Sequence, residues 1–458
     1  MTSTEQEKLR DARDRVMIDT DEFAFSTVKD SGFAWLVCGA AFCTLFVTLG
    51  IHYSCGVVFV ALLDSFGESK AKTAWVQSIS QFMLFFFCPL SSLLTERYGA
   101  RAVTMSGGIL MSVGLLSSSF ANQLNVLYLT YGVIFGLGTA LAYLPTLVMV
   151  GEYFEKRRSL ATGIATCGSN TGAFSLAILQ EVMLKNHGWR NVFRFNGGFA
   201  LLVIICGIIF RPIIPVTTRD STLISNGNFM KKVALLLRKR KFLLWCVSSS
   251  AGTFGYFIPH VHLIRYAEEN NVSLQNATLL ITFMSAGSAV GKLFYGKVSD
   301  YFQAHTQSIY VISMFISGLC SILFSFVSTS YVGLVIYVVL FGLLDGSFIG
   351  LMSIMTLKCV GSVELMSHSW GISLMFMSCS MVVGPPTVGW LRELGISYRS
   401  LFYLTGGPMI LGALVLLPTI WMNDSDSFQD NSLVLMNEPV IPRTDSQHHI
   451  EIQMLTVL

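Results

Sequence analysis

"YGVIFGLGTA", residues 131–140, returns 206 positions later as "YVVLFGLLDG", residues 337–346. Tyr131 and Tyr337, Phe135 and Phe341, Gly136 and Gly342, and Leu137 and Leu343 coincide. What gives a short match weight is where it falls. Each copy opens an apolar run of about 20 residues, the length that crosses ~30 Å of hydrocarbon as a helix. Twelve such runs follow one another along the chain, at about 34–62, 73–94, 102–120, 124–150, 159–183, 190–215, 242–266, 277–298, 308–327, 331–357, 368–391 and 397–421. The polar stretch 216–241 divides them six and six, so the matched runs are the fourth of each half. A parallel duplication predicts that placement. "LLTERYGAR" (93–101) after span 2 and "GKVSDYFQ" (296–303) after span 8 correspond in the same way, more loosely.

Composition agrees with the spans. Of 458 residues, 53% are hydrophobic and 12% charged, and mean hydropathy is +0.61; soluble domains carry about 25% charge. The chain reads as an all-α membrane protein of twelve transmembrane helices in two six-helix halves, a parallel repeat that resembles the build of major facilitator transporters. The expected organisation is a disordered tail over 1–29, one half over 30–215, a connector over 216–241, the second half over 242–421, and a disordered tail over 424–458.

A net charge of +3 says little, but the placement of basic residues says more. Arg97 and Arg101, then Lys156, Arg157 and Arg158, then the "KK" and "RKRK" of the connector all follow even-numbered spans. By the positive-inside rule both termini are expected in the cytoplasm. The first 30 residues are polar, and span 1 is too long for the apolar core of a cleavable signal peptide. The ten cysteines form no CxxC pair, so neither a disulfide nor a metal site is expected. Two glycosylation sequons, at Asn271 and Asn276, fall in the expected outer loop after span 7. Glycines are abundant within the spans, where small residues let helices approach closely.

A polar side chain at membrane depth costs free energy unless it is paired or faces water, so each is a candidate for function. The chain offers His52 in span 1, Glu181 near the outer end of span 5, His260 and His262 in span 7, Lys292 in span 8 and Asp345 in span 10. Lys292 and Asp345 are expected to face one cavity, either as a structural ion pair or as a substrate site in which the lysine meets a carboxylate. Gly255 and Pro259 are expected to loosen span 7, since proline removes a backbone donor. His262 and His52 are then assigned to the pathway and His260 to the outer interface. A histidine there could carry protons near neutral pH.

No phosphate-cradling loop, GxSxG or HExxH is present. No enzyme activity, cofactor or nucleic-acid partner is expected, and transport must be facilitative or ion-coupled. A ligand receptor that does not transport is the competing class.

The motifs resemble one family. "DSGFAW" (30–35), containing Asp30 and Trp35, is similar to the acidic-glycine-aromatic signature that opens monocarboxylate transporters. "YFEKRRSLATGIATCGSNTG" (153–172) resembles their second signature, and "KTAW" (72–75), "GWR" (188–190) and "GPP" (384–386) are further matches. Asp30, Trp35, Arg97, Arg157, Arg158 and Asp300 are taken as gating or family-motif residues. "GIHYSCGVVFV" (50–60), "LYLTYGVIFG" (127–136), "GYFIPHVHL" (255–263) and "GLLDGSFI" (342–349) look most like the branch that carries aromatic amino acids and thyroid hormones.

In that branch a span 1 histidine, a span 7 histidine and a span 8 arginine paired with a span 10 aspartate are implicated in recognition. The matching positions here are His52, His262, Lys292 and Asp345. Two departures stand out: Tyr53 occupies the place of the lactate carriers' span 1 lysine, and Lys292 replaces the arginine, with Ser288 where those carriers have an aspartate one turn earlier. The resemblance implies a plasma-membrane transporter that moves a carboxylate-bearing solute by alternating access, with His52, Tyr53, His262, Lys292 and Asp345 in its site. Aromatic amino acids or iodothyronines are the first expectation, and a proton-linked monocarboxylate such as lactate or a ketone body is the second. Some relatives need a single-span chaperone glycoprotein, which makes one a candidate partner.

Overall fold

In hydrocarbon every backbone N–H and C=O must be bonded within the chain, so apolar runs of this length close their own hydrogen bonds as helices. The computed structural model describes residues 29–68, 70–211, 228–327, 330–362, 365–395 and 399–422, and among them there is no strand. The expected tails lie almost wholly outside the described residues.

In the first half, α1 is Gly32–Phe66, α2 Lys70–Phe86, α3 Cys88–Ser118, α4 Leu124–Tyr153 and α5 Arg158–Ile209. In the second half, α7 is Arg240–Glu269, α8 Leu274–Tyr301, α9 Thr306–Val327, α10 Tyr331–Gly350, α11 Met352–Val360, α12 Met366–Glu393 and α13 Arg399–Leu416. Between the halves lies α6, Asn228–Arg238.

Helices and membrane crossings are not the same units. Gly99, at φ 84°, turns the chain inside α3, and Gly188, at φ 77°, does so inside α5. Both angles are in the left-handed region that glycine enters without steric cost. Each of these helices therefore holds parts of two crossings. Conversely, span 2 is interrupted at Phe87, just before Pro89, and span 10 at Leu351. The chain makes twelve crossings in two sets of six. Among the described residues, eight helical runs are long and apolar enough to cross a membrane by length and composition.

Two features depart from the sequence reading. Pro259 does not break α7, which runs unbroken from Arg240 to Glu269. Gly255 beside it is a packing residue, since a Cβ there would stand 2.2 Å from the Thr405 carbonyl oxygen of α13. Held this closely by a neighbour, α7 tolerates the one missing donor. The second departure is α6, a helix inside the stretch read as a plain connector. Its Val233, Leu236 and Leu237 join the hydrophobic core while Lys231 and Arg238 stay exposed.

The halves meet along two walls. The first leg of α5 packs on α8, and α12 packs on α2 and the first leg of α3. In the duplication these are equivalent pairs, the fifth span of one half against the second of the other. Glycine permits the approach: a Cβ at Gly163 would stand 2.6 Å from the Lys292 carbonyl oxygen, and one at Gly296 2.8 Å from that of Ser159.

Candidate functional site: a cavity between the halves

Between the two walls lies a cavity of about 750 Å³, its open mouth included. Aromatic rings from both halves form much of its lining: Tyr53 of α1, Phe85 of α2, Tyr143 of α4, Tyr256 and Phe257 of α7, and Trp370 of α12. Met352, Met377 and Met381 add flexible apolar surface, and Thr162, Thr166, Ser169, Asn170, Thr253 and Ser353 supply hydroxyls and an amide.

Lys292 brings the cation. It lines the cavity while only 2% exposed. Its Nζ donates to the Asn170 Oδ1 at 3.0 Å and to the Thr166 carbonyl at 3.4 Å, both on α5 in the other half. Asn170 in turn donates to the Ser285 carbonyl of α8 at 3.1 Å.

Asp345 is not its ion-pair partner. The two lie near enough to feel each other's charge, yet no contact within salt-bridge distance joins them, and Asp345 Oδ1 is buried without a hydrogen bond. Backbone approach explains the separation. A Cβ at Gly346 would stand 2.3 Å from the Lys292 nitrogen, so α8 and α10 touch main chain to main chain there, and the Lys292 side chain runs past Gly350, one turn further along α10 from Asp345. The lysine leaves on the α5 side, and Asp345 stays beside the Tyr256 phenol.

The remaining assigned residues divide. Tyr53 lines the cavity and is 42% exposed. His52 does not line it, because successive helical residues point about 100° apart. It is buried inside the first half, stacked on Phe135 at 4.9 Å between ring centres and 3.3 Å from Thr139 Oγ1. His262 is partly buried and is not among the lining residues. His260, assigned above to the outer interface, instead stands one turn beyond Tyr256, its ring 4.6 Å from that ring and its Nδ1 3.1 Å from the Tyr256 carbonyl oxygen. Glu181 is exposed and pairs with Lys185 one turn on.

The residues taken above as gating or family-motif residues lie at the end that carries the basic loops. Asp30, at φ 54°, accepts from the backbone N–H groups of Glu155, Lys156 and Arg157, and Trp35 packs edge-on against Phe154 at 5.0 Å. Lys29 hydrogen-bonds Glu155 at 3.0 Å and holds that carboxyl below its ordinary range. Arg158 closes back on the Phe154 carbonyl.

Asp300 reaches across the halves. Its two oxygens accept from the N–H groups of Ser159 and Leu160, each at 2.8 Å. These are unsatisfied donors at the α5 N-terminus, where a carboxylate is also favoured by the helix dipole. Arg97 takes no part; it is exposed and lies over the ring of Tyr98.

Its neighbour Glu96, which sequence reading passed over, makes the equivalent tie. Glu96 Oε2 is 2.8 Å from His368 Nε2 at the start of α12, His368 Nδ1 is 2.7 Å from Ser92 Oγ, and Lys232 of α6 joins the same carboxylate. The only sequence signal was an ionisable pair of unlike type at the ends of spans 2 and 11. Asn170 and Trp370 were missed too, as residues that look unremarkable until the walls are assembled. Asp300, Glu96, His368 and Ser92 tie the halves together at the basic end, and Lys292, Asn170 and Cys167 bond across the α5–α8 wall, so these ties close the cavity toward the basic end.

Comparison with known proteins places this architecture. The model of the "Major Facilitator Superfamily" matches residues 40–266 and again 243–442, roughly one match per half. The chain is 35% identical to monocarboxylate transporter 10 of Homo sapiens, covering 86% of this chain and 79% of that protein. It is 30% identical to monocarboxylate transporter 4 of Mus musculus, over 85% and 83%. Among solved structures it resembles FucP in the outward conformation, with a TM-score of 0.68 at 12% identity over 84% of this chain and 98% of that one. The duplicated six-helix halves, the cavity between them and these relatives agree: the chain is a multi-pass membrane transporter of the Major Facilitator Superfamily and belongs to the monocarboxylate transporter family.

Proposed function

We propose that this transporter carries an aromatic solute bearing a carboxylate, an aromatic amino acid or an iodothyronine-like compound, down its gradient. The observation that carries the reading is the buried ammonium of Lys292 at the wall of a cavity lined by six aromatic side chains. A carboxylate would take the remaining donor capacity of Lys292, and an aromatic body would bury its faces against Tyr53, Tyr143 and Tyr256. Asp345 does not line the cavity; its buried Oδ1, without a hydrogen bond, lies behind Tyr256 and would reach an α-ammonium group only if that ring moved aside. The resemblance of "GYFIPHVHL" and "GLLDGSFI" to the aromatic amino acid branch supports the same solute class.

Transport then proceeds by rocking the halves about the site, with the Asp300 and Glu96 ties released as the basic end opens. On this reading that end and both termini face the cytoplasm, as the positive-inside rule favours, and the membrane is the plasma membrane. A single-span glycoprotein that escorts it to the surface fits the family. Tyr53, in place of the lactate carriers' lysine, argues against proton-linked lactate transport.

Uptake of labelled tryptophan and labelled lactate, side by side at neutral and mildly acidic outside pH, tests the reading. Tryptophan uptake indifferent to pH is expected. Lactate uptake that rises in acid, with no tryptophan uptake, would replace it with proton-linked monocarboxylate transport, and ligand binding without uptake in reconstituted vesicles would make the protein a receptor.

A further inference from the structure

Trp370 is an anomaly in the cavity wall. It is 2% exposed, its ring lines the cavity, and its indole nitrogen has no hydrogen-bond partner. Indole nitrogen is a donor only, and a buried tryptophan ordinarily finds an acceptor because an unmade bond forfeits the hydration the group had in water. The wall around it is closely packed. Gly371, the next residue, sits where a Cβ would be 3.0 Å from the Cys88 carbonyl, so α12 lies against the break between α2 and α3.

Position gives the unpaired donor its meaning. Lys292 belongs to the α5–α8 wall and Trp370 to the α2–α12 wall, and both line the one cavity. A solute held at its carboxylate by Lys292 and long enough to cross the cavity would bring its far end to the wall that carries the indole. Phe85 and Met377 nearby in the lining offer that end no hydrogen bond.

We infer that Trp370 is a specificity residue: its indole N–H donates to an acceptor at the end of the solute remote from the carboxylate, and a ring hydroxyl para to the side chain fits. The inference rests on Lys292 as the carboxylate site. It makes the preferred solutes 4-hydroxyphenyl carboxylates, with phenyl and 4-methylphenyl analogues as poorer ligands. A site built to hydrogen-bond a hydroxyl discriminates against the analogue lacking it, because its own buried donor is then left unpaired.

The test is binding to the purified full-length protein, read as thermal stabilisation by tyrosine, phenylalanine, 4-methylphenylalanine, 4-hydroxyphenylpyruvate and phenylpyruvate. The hydroxyl members are expected to bind about tenfold more tightly, the order of one hydrogen bond. Trp370→Phe is expected to bring that ratio to about one; the ratio is the readout, because the smaller ring alters the affinity for all five compounds together. A wild-type protein with no preference for the hydroxyl overturns the inference without any mutant, which also covers a Trp370→Phe protein that fails to fold. So does a preference that survives in Trp370→Phe. Lys292→Ala separates the two readings: wild-type affinity for all five compounds in that variant removes the carboxylate site, whereas a changed hydroxyl ratio in Trp370→Phe alone concerns the indole.

Discussion

Lys292 of one half donates to Asn170 of the other, 3.0 Å between Nζ and Oδ1, and not to Asp345 in its own half. The cation that fits a carboxylate is thus also a bond across the interface that must shift during transport. An ammonium has three donors, and Asn170 and the Thr166 carbonyl engage two. A carboxylate in the cavity competes for the same group that fastens α8 to α5.

Removing the charge removes the site. Lys292→Ala should lower uptake by at least about 100-fold at unchanged surface level, since hydrogen bonds to charged groups contribute about 1.5–3 kcal/mol and the Coulombic term adds to that. Asn170→Ala should raise the apparent substrate constant about tenfold instead. Wild-type uptake by Lys292→Ala in a surface-labelled cell assay would end the carboxylate assignment.

Asp300→Asn keeps the shape of the cap on α5 and loses its charge. A carboxylate at a helix N-terminus contributes about 0.3–2 kcal/mol, so the conformation closed at the basic end should lose population by about 2-fold to about 30-fold. A cysteine in the cavity lining, Ser353→Cys, should then react faster with a thiol reagent added from the basic side. An unchanged rate would show that the cap does not hold the gate.

Glu96 and His368 form the other tie, and a double-mutant cycle isolates it. Glu96→Gln and His368→Ala should each lower the same population, with a coupling of about 1–3 kcal/mol between them. Strict additivity would mean that the 2.8 Å contact is incidental.

Gly163→Ala tests the wall by bulk rather than charge. Its Cβ would meet the Lys292 carbonyl oxygen at 2.6 Å, and backbone cannot rotate away as a side chain can. The α5–α8 wall must part by a few tenths of an ångström or more, so thiol access from the basic side should rise and uptake should fall. Uptake and access both at wild-type values would show that the wall is looser than its geometry.

His52 lies in the packing of the first half, so His52→Leu should leave the substrate constant within about twofold of wild type. His52→Ala should lower thermal stability, as deletion of large core side chains costs about 2–5 kcal/mol. A selective rise in the substrate constant with unchanged melting temperature would return His52 to the site.

Much of the fold was legible because the bilayer imposes one simple requirement, a helix of about 20 apolar residues per crossing. Gly99 and Gly188 merge crossings without altering their number. The site was legible only in part, and for a definite reason. Bilayer cost picks out Lys292 and Asp345, whose charges are unusual wherever they point, but it is indifferent to direction. It cannot tell that Lys292 runs past Gly350 to Asn170 rather than to Asp345, or that His52 turns inward while Tyr53 faces the cavity. Neither span 7 histidine lines the cavity: α7 runs unbroken through Pro259, and the four-residue spacing from Tyr256 sets the His260 ring against that tyrosine.

By itself the sequence determined the number of crossings, the duplication, the end that carries the basic loops and the rarity of charge within the spans, since these follow from hydropathy and count. The tertiary structure decided the partners: Lys292 with Asn170, Asp300 with the α5 N-terminus, Glu96 with His368, and Trp370 with none. Such pairings join residues 122–272 positions apart, and they depend on which glycines let two helices touch. That is a property of packed surfaces, not of any one segment.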